Sequence, residues 1–238
     1  LLAIYERSRD WSHAASIAQK MHAADQGDFS TRQAHYLCEQ ALALSVQGDR
    51  AGAKALLEQA IAAAPDAARA RIELARLQQL MGQPDAVLAT LQTLGERAPA
   101  ALPLAAPLLV EAGNATGRQA EVHARLVAHY EQSPSLDVLE SIVAMEAAND
   151  ATQATARARY VQHLDKERSL VAAAKWLSAE KLEHEEFHPQ IQRALEHAVK
   201  PLTRYRCAAC GFEARQHFWQ CPGCQTWDSY PARRVEEL

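Results

Sequence analysis

The sequence predicts an all-α chain of paired helices, closed by a small cysteine-bound module. Three observations carry this. An apolar and glycine–proline pattern recurs every 34 residues. Aromatics are only 6% of the chain and glycines number 9, which argues against a large all-β fold. Four of the five cysteines crowd the last 32 residues.

The repeat comes first. Gly48, Ala53, Leu57, Ala60 and Pro65 recur as Gly82, Val87, Leu91, Leu94 and Pro99, each 34 residues on. A further copy follows at a spacing of 35, with Gly117, Val122, Leu126, His129 and Pro134. Arg9-Asp10-Trp11, Ala14, Ala18 and Met21 match the same frame at a spacing of 39, the extra residues falling in the polar stretch 24–28. The physical unit is a helical hairpin. Glycine permits a left-handed helix end, Asp49 caps the next helix, and proline stops the unit. Turns are expected at residues 48–49 and 82–83, with Ala53 small enough to let two helices approach.

This pattern resembles the tetratricopeptide repeat. The resemblance implies a right-handed superhelix with a groove for proteins or peptides. Three units are expected at 34–67, 68–101 and 102–135, with a truncated one before them. A degenerate unit near 136–168 turns around Asn149-Asp150. Residues 169–200 read as a long helix, a break at Pro189 and a shorter helix. On the resemblance, Arg69, Ile72, Arg76 and Gln79 face the groove. Arg69 and Arg76, seven apart, share a helical face and could pair with a partner carboxylate. A solvated helix face is the competing reading. Cys38 reads as a small buried apolar residue.

Cys207-Ala208-Ala209-Cys210 and Cys221-Pro222-Gly223-Cys224 form two CxxC knuckles separated by ten residues. Each tight turn aims two sulfurs at one ion, and two turns give tetrahedral S4 coordination. Gly211 and Gly223 suit unusual backbone angles. About 35 residues cannot build a self-sufficient core, so metal binding supplies the folding energy. One ion is expected, Fe or Zn. Arg204, Arg206 and Arg215 lie close enough in sequence to soften its negative charge. Tyr205, Phe212, Phe218, Trp219 and Trp227 surround the knuckles; some are expected to dock the module near Trp176 and Phe187. The domains are therefore 1–201, helical repeats with linker helices, and 202–238, the metal module.

A second metal motif needs weighing. His184-Glu185-Glu186-Phe187-His188 matches H-E-x-x-H, with Glu185 as the base of a zinc peptidase. Pro189 disfavours helical geometry at His188, and no third ligand is evident. The reading remains a minor alternative.

Net charge excludes other classes. Lys+Arg 25 against Asp+Glu 29 gives −4, so no basic field points to nucleic acid. Residues 201–238 carry five Arg and four Asp/Glu, a balance of only +1. No apolar run approaches the ~20 residues of a membrane span, and no signal-peptide pattern is present. The chain opens Leu1-Leu2-Ala3-Ile4-Tyr5 inside a helix-like pattern, which predicts a fragment of a longer protein.

The order of parts carries a wider resemblance: repeats, linker helix, then Tyr205-Arg206-Cys207-x-x-Cys210-Gly211-Phe212 and Phe218-Trp219-x-Cys221-Pro222-x-Cys224-x-x-Trp227. It is similar to the lipopolysaccharide assembly protein B family, which joins tetratricopeptide repeats to a rubredoxin-like, zinc-ribbon-type module. The resemblance implies a non-enzymatic adaptor at the cytoplasmic face of the bacterial inner membrane, with a membrane anchor upstream. Implied partners are the membrane protease FtsH, the lipid A pathway deacetylase whose turnover it promotes, and lipopolysaccharide assembly proteins. Gln225 stands where rubredoxins place a glycine. That departure weakens the alternative of a rubredoxin-like redox protein.

Overall fold

The computed structural model describes residues 1–149, 151–178 and 185–238. They fall into two compact units, Leu1–Arg118 and Gln119–Leu238.

The first unit is a run of helical hairpins: α1 (Leu2–Ser8), α2 (Trp11–Ala23), α3 (Ser30–Val46), α4 (Arg50–Ala63), α5 (Ala68–Leu80), α6 (Pro84–Arg97) and α7 (Ala106–Thr116). The turns stand where the 34-residue period puts them. Gly48 and Gly82 adopt φ 90° and 69°, the left-handed region that glycine enters without a Cβ penalty. Arg9 makes the equivalent turn after α1 at φ 55° without being glycine. Asp10 and Asp49 then cap α2 and α4, accepting from His13 N at 3.2 Å and Gly52 N at 2.8 Å.

The repeated apolar positions form the contact between helices. Ala53, Ala60, Val87, Leu91 and Leu94 are fully buried, and Leu57 nearly so. Cys38 is buried among them. One expectation needs correction. Repeat 102–135 opens within a 3-10 helix, Pro99–Ala105, and its α-helix, α7, starts only at Ala106. Pro103 has no N–H to donate, so the α-helical ladder starts after it.

The second unit holds α8 (Gln119–Gln132), α9 (Leu136–Ala147), α10 (Gln153–Ala156), α11 (Ala158–Lys166), α12 (Leu170–Leu177), α13 (His188–Val199) and the cysteine module. In α8 the third apolar position is Tyr130, buried, rather than its half-exposed neighbour His129. Tyr130 Oη sits 2.6 Å from Nδ1 of buried His163 on α11. Pro189 does not break a helix; it occupies the first turn of α13, where a missing N–H costs nothing. Asp150, the expected turn residue, lies outside the described residues.

Candidate metal centre

The module is built on two short loops. β1 (Tyr205–Arg206) pairs antiparallel with β2 (Glu213–Ala214), and the first knuckle turns between them. An isolated bridge, Gln220 with Trp227, frames the second. Each knuckle is closed by the same pair of backbone bonds. Cys207 N donates to Phe212 O and Gly211 N to Cys207 O, both at 2.9 Å. In the second, Cys221 N donates to Thr226 O at 2.9 Å and Gln225 N to Cys221 O at 2.8 Å.

The correspondence extends to dihedral angles. Gly211 sits at φ 77° and Gln225 at φ 61°. Gln225 thus adopts the left-handed turn that the first knuckle assigns to glycine. Gly223 serves a different purpose from the one its sequence position suggests. Its φ is not positive; a Cβ there would meet the Phe212 ring at 3.3 Å.

The four sulfurs converge, all within 4.8 Å of one another. Cys207 and Cys224 Sγ are 3.8 Å apart, and Cys210 and Cys221 Sγ 3.6 Å. Bonds of ~2.3 Å to a tetrahedral ion imply sulfur separations of about 3.8 Å. The donor set therefore fits a single Zn or Fe ion. Cys207 and Cys221 are buried, whereas Cys210 and Cys224 reach the surface.

Electrostatics agree. Burial works against ionisation of Cys207, but hydrogen bonds from Ser229 and from the Cys210 and Ala209 N–H groups outweigh it, bringing the thiol down to about 6. Cys224 is lowered by the side chain and backbone of Thr226. The Phe212 N–H favours a thiolate at Cys210, yet burial and the neighbouring sulfurs prevail and push it up to about 12. Four thiolates cannot share this space unless a cation joins them. Cys207, Cys210, Cys221 and Cys224 would hold such an ion, which would supply structural crosslinking rather than an open position for a reacting water.

Aromatic rings pack around the knuckles. His217 stands edge-on to Tyr205, Trp219 and Tyr230, with centroids 5.7, 4.7 and 6.0 Å away. Tyr230 Oη donates to Phe212 O at 3.1 Å, tying the first knuckle to the tail. Arg204 and Arg206 pair with Glu213 at 3.6 and 2.8 Å, so these two charges already have a carboxylate.

The module joins the helices through polar contacts at helix starts. Glu237 Oε1 accepts from Leu136 N of α9 at 2.8 Å. Glu236 accepts from Ser169 Oγ, Leu170 N and Val171 N at the start of α12, at 2.7, 2.5 and 3.1 Å. Carboxylates at helix N-termini satisfy unpaired N–H groups and complement the helix dipole. These polar contacts come in addition to the aromatic docking expected near Trp176 and Phe187. Nothing in the spacing marked Glu236 and Glu237, because a cap supplied from 65 to 101 residues away leaves no local pattern.

The other candidate residues are placed as follows. Arg69, only 5% exposed, pairs with Glu39 at 2.6 Å. Arg76, 53% exposed, pairs with Glu73 at 3.1 Å. Ile72 is buried, and Gln79 Nε2 lies 3.5 Å from Glu111 Oε2. His184 lies outside the described residues; His188 opens α13.

Comparison with known proteins finds likeness in both parts of the chain. Residues 205–230 match the rubredoxin metal binding domain model, and residues 47–112 the tetratricopeptide repeat model. Over its full length the chain is 24% identical to lipopolysaccharide assembly protein B of Escherichia coli K12, covering 62% of that protein. The chain is similar, along its whole length, to proteins of that name. The protein of that name from Haemophilus influenzae is also 24% identical, over 96% of this chain and 59% of its own length. The chain thus spans about three fifths of the lipopolysaccharide assembly protein B sequences it matches. No described helix is long and apolar enough to cross a membrane.

Proposed function

We propose that the chain is the non-enzymatic adaptor portion of a protein regulating lipopolysaccharide synthesis. It works at the cytoplasmic face of the bacterial inner membrane, with the anchor upstream. In this reading the repeats hold the membrane protease FtsH and the lipid A pathway deacetylase together, promoting proteolysis of the deacetylase. The observation that carries it is the coexistence, in one chain similar to lipopolysaccharide assembly protein B from end to end, of tandem repeat hairpins and a closed S4 centre. Repeats supply binding surface. The closed centre supplies stiffness rather than chemistry. Arg76 is the exposed contact for a partner carboxylate, and Arg69, through Glu39, fixes the face around it.

The test is affinity capture of the full-length anchored protein, with partners identified by mass spectrometry. The protease and the deacetylase should co-purify, and Arg76→Glu should weaken their recovery while the fold persists. Absence of both from the captured material rejects the reading.

Exposure of Cys210 and Cys224 favours one second reading, an electron carrier, because electrons cross most readily where ligands meet the surface. An iron-loaded sample that is bleached by dithionite and recovers in air would establish it; the adaptor reading expects no functional loss when zinc replaces iron.

A further inference from the structure

Arg71 is a buried cation without an ion pair of its own. Its residue is 6% exposed, and its Nη1 is buried without a hydrogen-bond partner. Among the described residues no carboxylate forms an ion pair with it. A guanidinium cannot shed its proton at any ordinary pH, so it cannot escape burial by becoming neutral. The surroundings increase the demand for an anion. Burial first, and the charge of Arg97 second, hold the Arg71 pKa below its ordinary value, with Asp66 acting in the opposite sense.

The local architecture suits an anion. Arg71 lies in the first turns of α5, whose N-cap Ala67 has no side chain to satisfy the opening N–H groups. Long side chains on a helix lean towards its N-terminus, which aims this guanidinium at that uncapped turn. Arg97 and Asp66 form the rim, paired at 3.5 Å with side chains 59% and 76% exposed. So open a pair is weak and easily exchanged. Two arginines and one aspartate leave a single positive charge.

We propose that Arg71, Arg97 and the first turn of α5 form a carboxylate-binding site, which takes an acidic side chain or C-terminus of a docked polypeptide. The carboxylate enters at the rim, displaces Asp66 from Arg97 and reaches the planar fork of Arg71. One negative charge balances the cluster; a phosphate dianion would leave an excess beside Asp66. Arg71 follows Arg69 by two residues, about 200° around the helix, so the site is separate from the face carrying Arg69 and Arg76. That the carboxylate belongs to a protein rests on the adaptor reading; the site itself does not.

The experiment is thermal melting of the whole metal-loaded chain in sodium chloride, sodium acetate and sodium phosphate at matched pH and ionic strength. Acetate should raise the melting temperature above that in chloride, and by more than phosphate does. Arg71→Met should abolish the acetate increment. Arg97→Gln, at an exposed position that leaves the fold intact, should remove most of it. An acetate melt no higher than the chloride melt overturns the site, as does an undiminished increment in both variants. A larger response to phosphate overturns the carboxylate assignment. No partner protein takes part, so failure here leaves the adaptor reading standing, and failed partner capture leaves this site standing.

Discussion

Arg234 holds Asp137 across 97 residues of chain, with Nη2 2.6 Å from Oδ1 and Nε 3.1 Å from Oδ2. The same guanidinium lies 4.3 Å from the Tyr205 ring centroid, and Tyr205 Oη donates to Asp137 at 3.1 Å. One aspartate at the start of α9 thus receives both the strand that opens the metal module and the segment that ends it. The side chains are 24% and 13% exposed, so solvent screens the pair only partly. Asp137→Ala and Arg234→Ala should each destabilise the second unit by about 1–3 kcal/mol. The double variant should cost less than their sum. Strict additivity in urea denaturation would show that the contact carries no coupling energy.

Metal removal should be felt at helices that hold no ligand. The module orders the tail, and the tail caps α9 and α12 through Glu237 and Glu236. Chelation, or Cys207→Ser, should therefore speed amide exchange at Leu136, Leu170 and Val171 as well as within 205–230. Unchanged exchange at those three amides would mean that the caps persist without the metal.

Two turns carry avoidable strain. Arg9 and Gln225 stand at φ 55° and 61°, where a Cβ costs about 1–2 kcal/mol. Glycine removes that cost but gives some back through the unfolded chain. Arg9→Gly and Gln225→Gly should each stabilise by about 0.5–1 kcal/mol. For Gln225→Gly the gain should appear as greater resistance to chelators. A loss in either variant would mean that its side chain makes a contact worth more than the strain.

Acid should weaken the second unit below about neutral pH. Burial lowers the pKa of His163 from 6.5, opposed by Glu167 and Glu236 and aided by Lys166; burial and Arg125 lower that of His129. A histidine depressed in the folded state binds its proton later than in the unfolded chain. Its stabilising contribution is complete above pH 6.5 and declines as pH falls towards the folded value. Denaturant midpoints should drop from pH 7.5 to 5.5, and His163→Gln should make that slope shallower. An identical slope in the variant would clear His163 of responsibility.

Ala53 is fully buried where α3 meets α4. Ala53→Leu should destabilise by about 1–3 kcal/mol through overpacking. Thermal melting that leaves the midpoint unmoved would show that the hairpin has room to spare.

What could be read from the chain, and what could not, divides by distance along it. The 34-residue hairpins, the glycine turns and the CxxC pairs are local devices: a helix end, a cap or a knuckle is specified by residues within a few positions, so its signature is contiguous. Even there the context moved details. Pro103 delayed α7, and Tyr130 took the buried place assigned to His129. The reason for Gly223 became visible only when the Phe212 ring came against it. The docking of the metal module was not legible. Glu236 and Glu237 look like any charged tail until folding brings them to the starts of α12 and α9, where unpaired N–H groups give a carboxylate something to bind. Arg69 and Arg71, two residues apart on α5, make the same point. Helical periodicity singles out Arg69 for a surface and gives no reason to single out Arg71. Only packing decides that Arg69 meets Glu39 while Arg71 is buried without an ion pair, because the energy of a charge depends on what surrounds it in space.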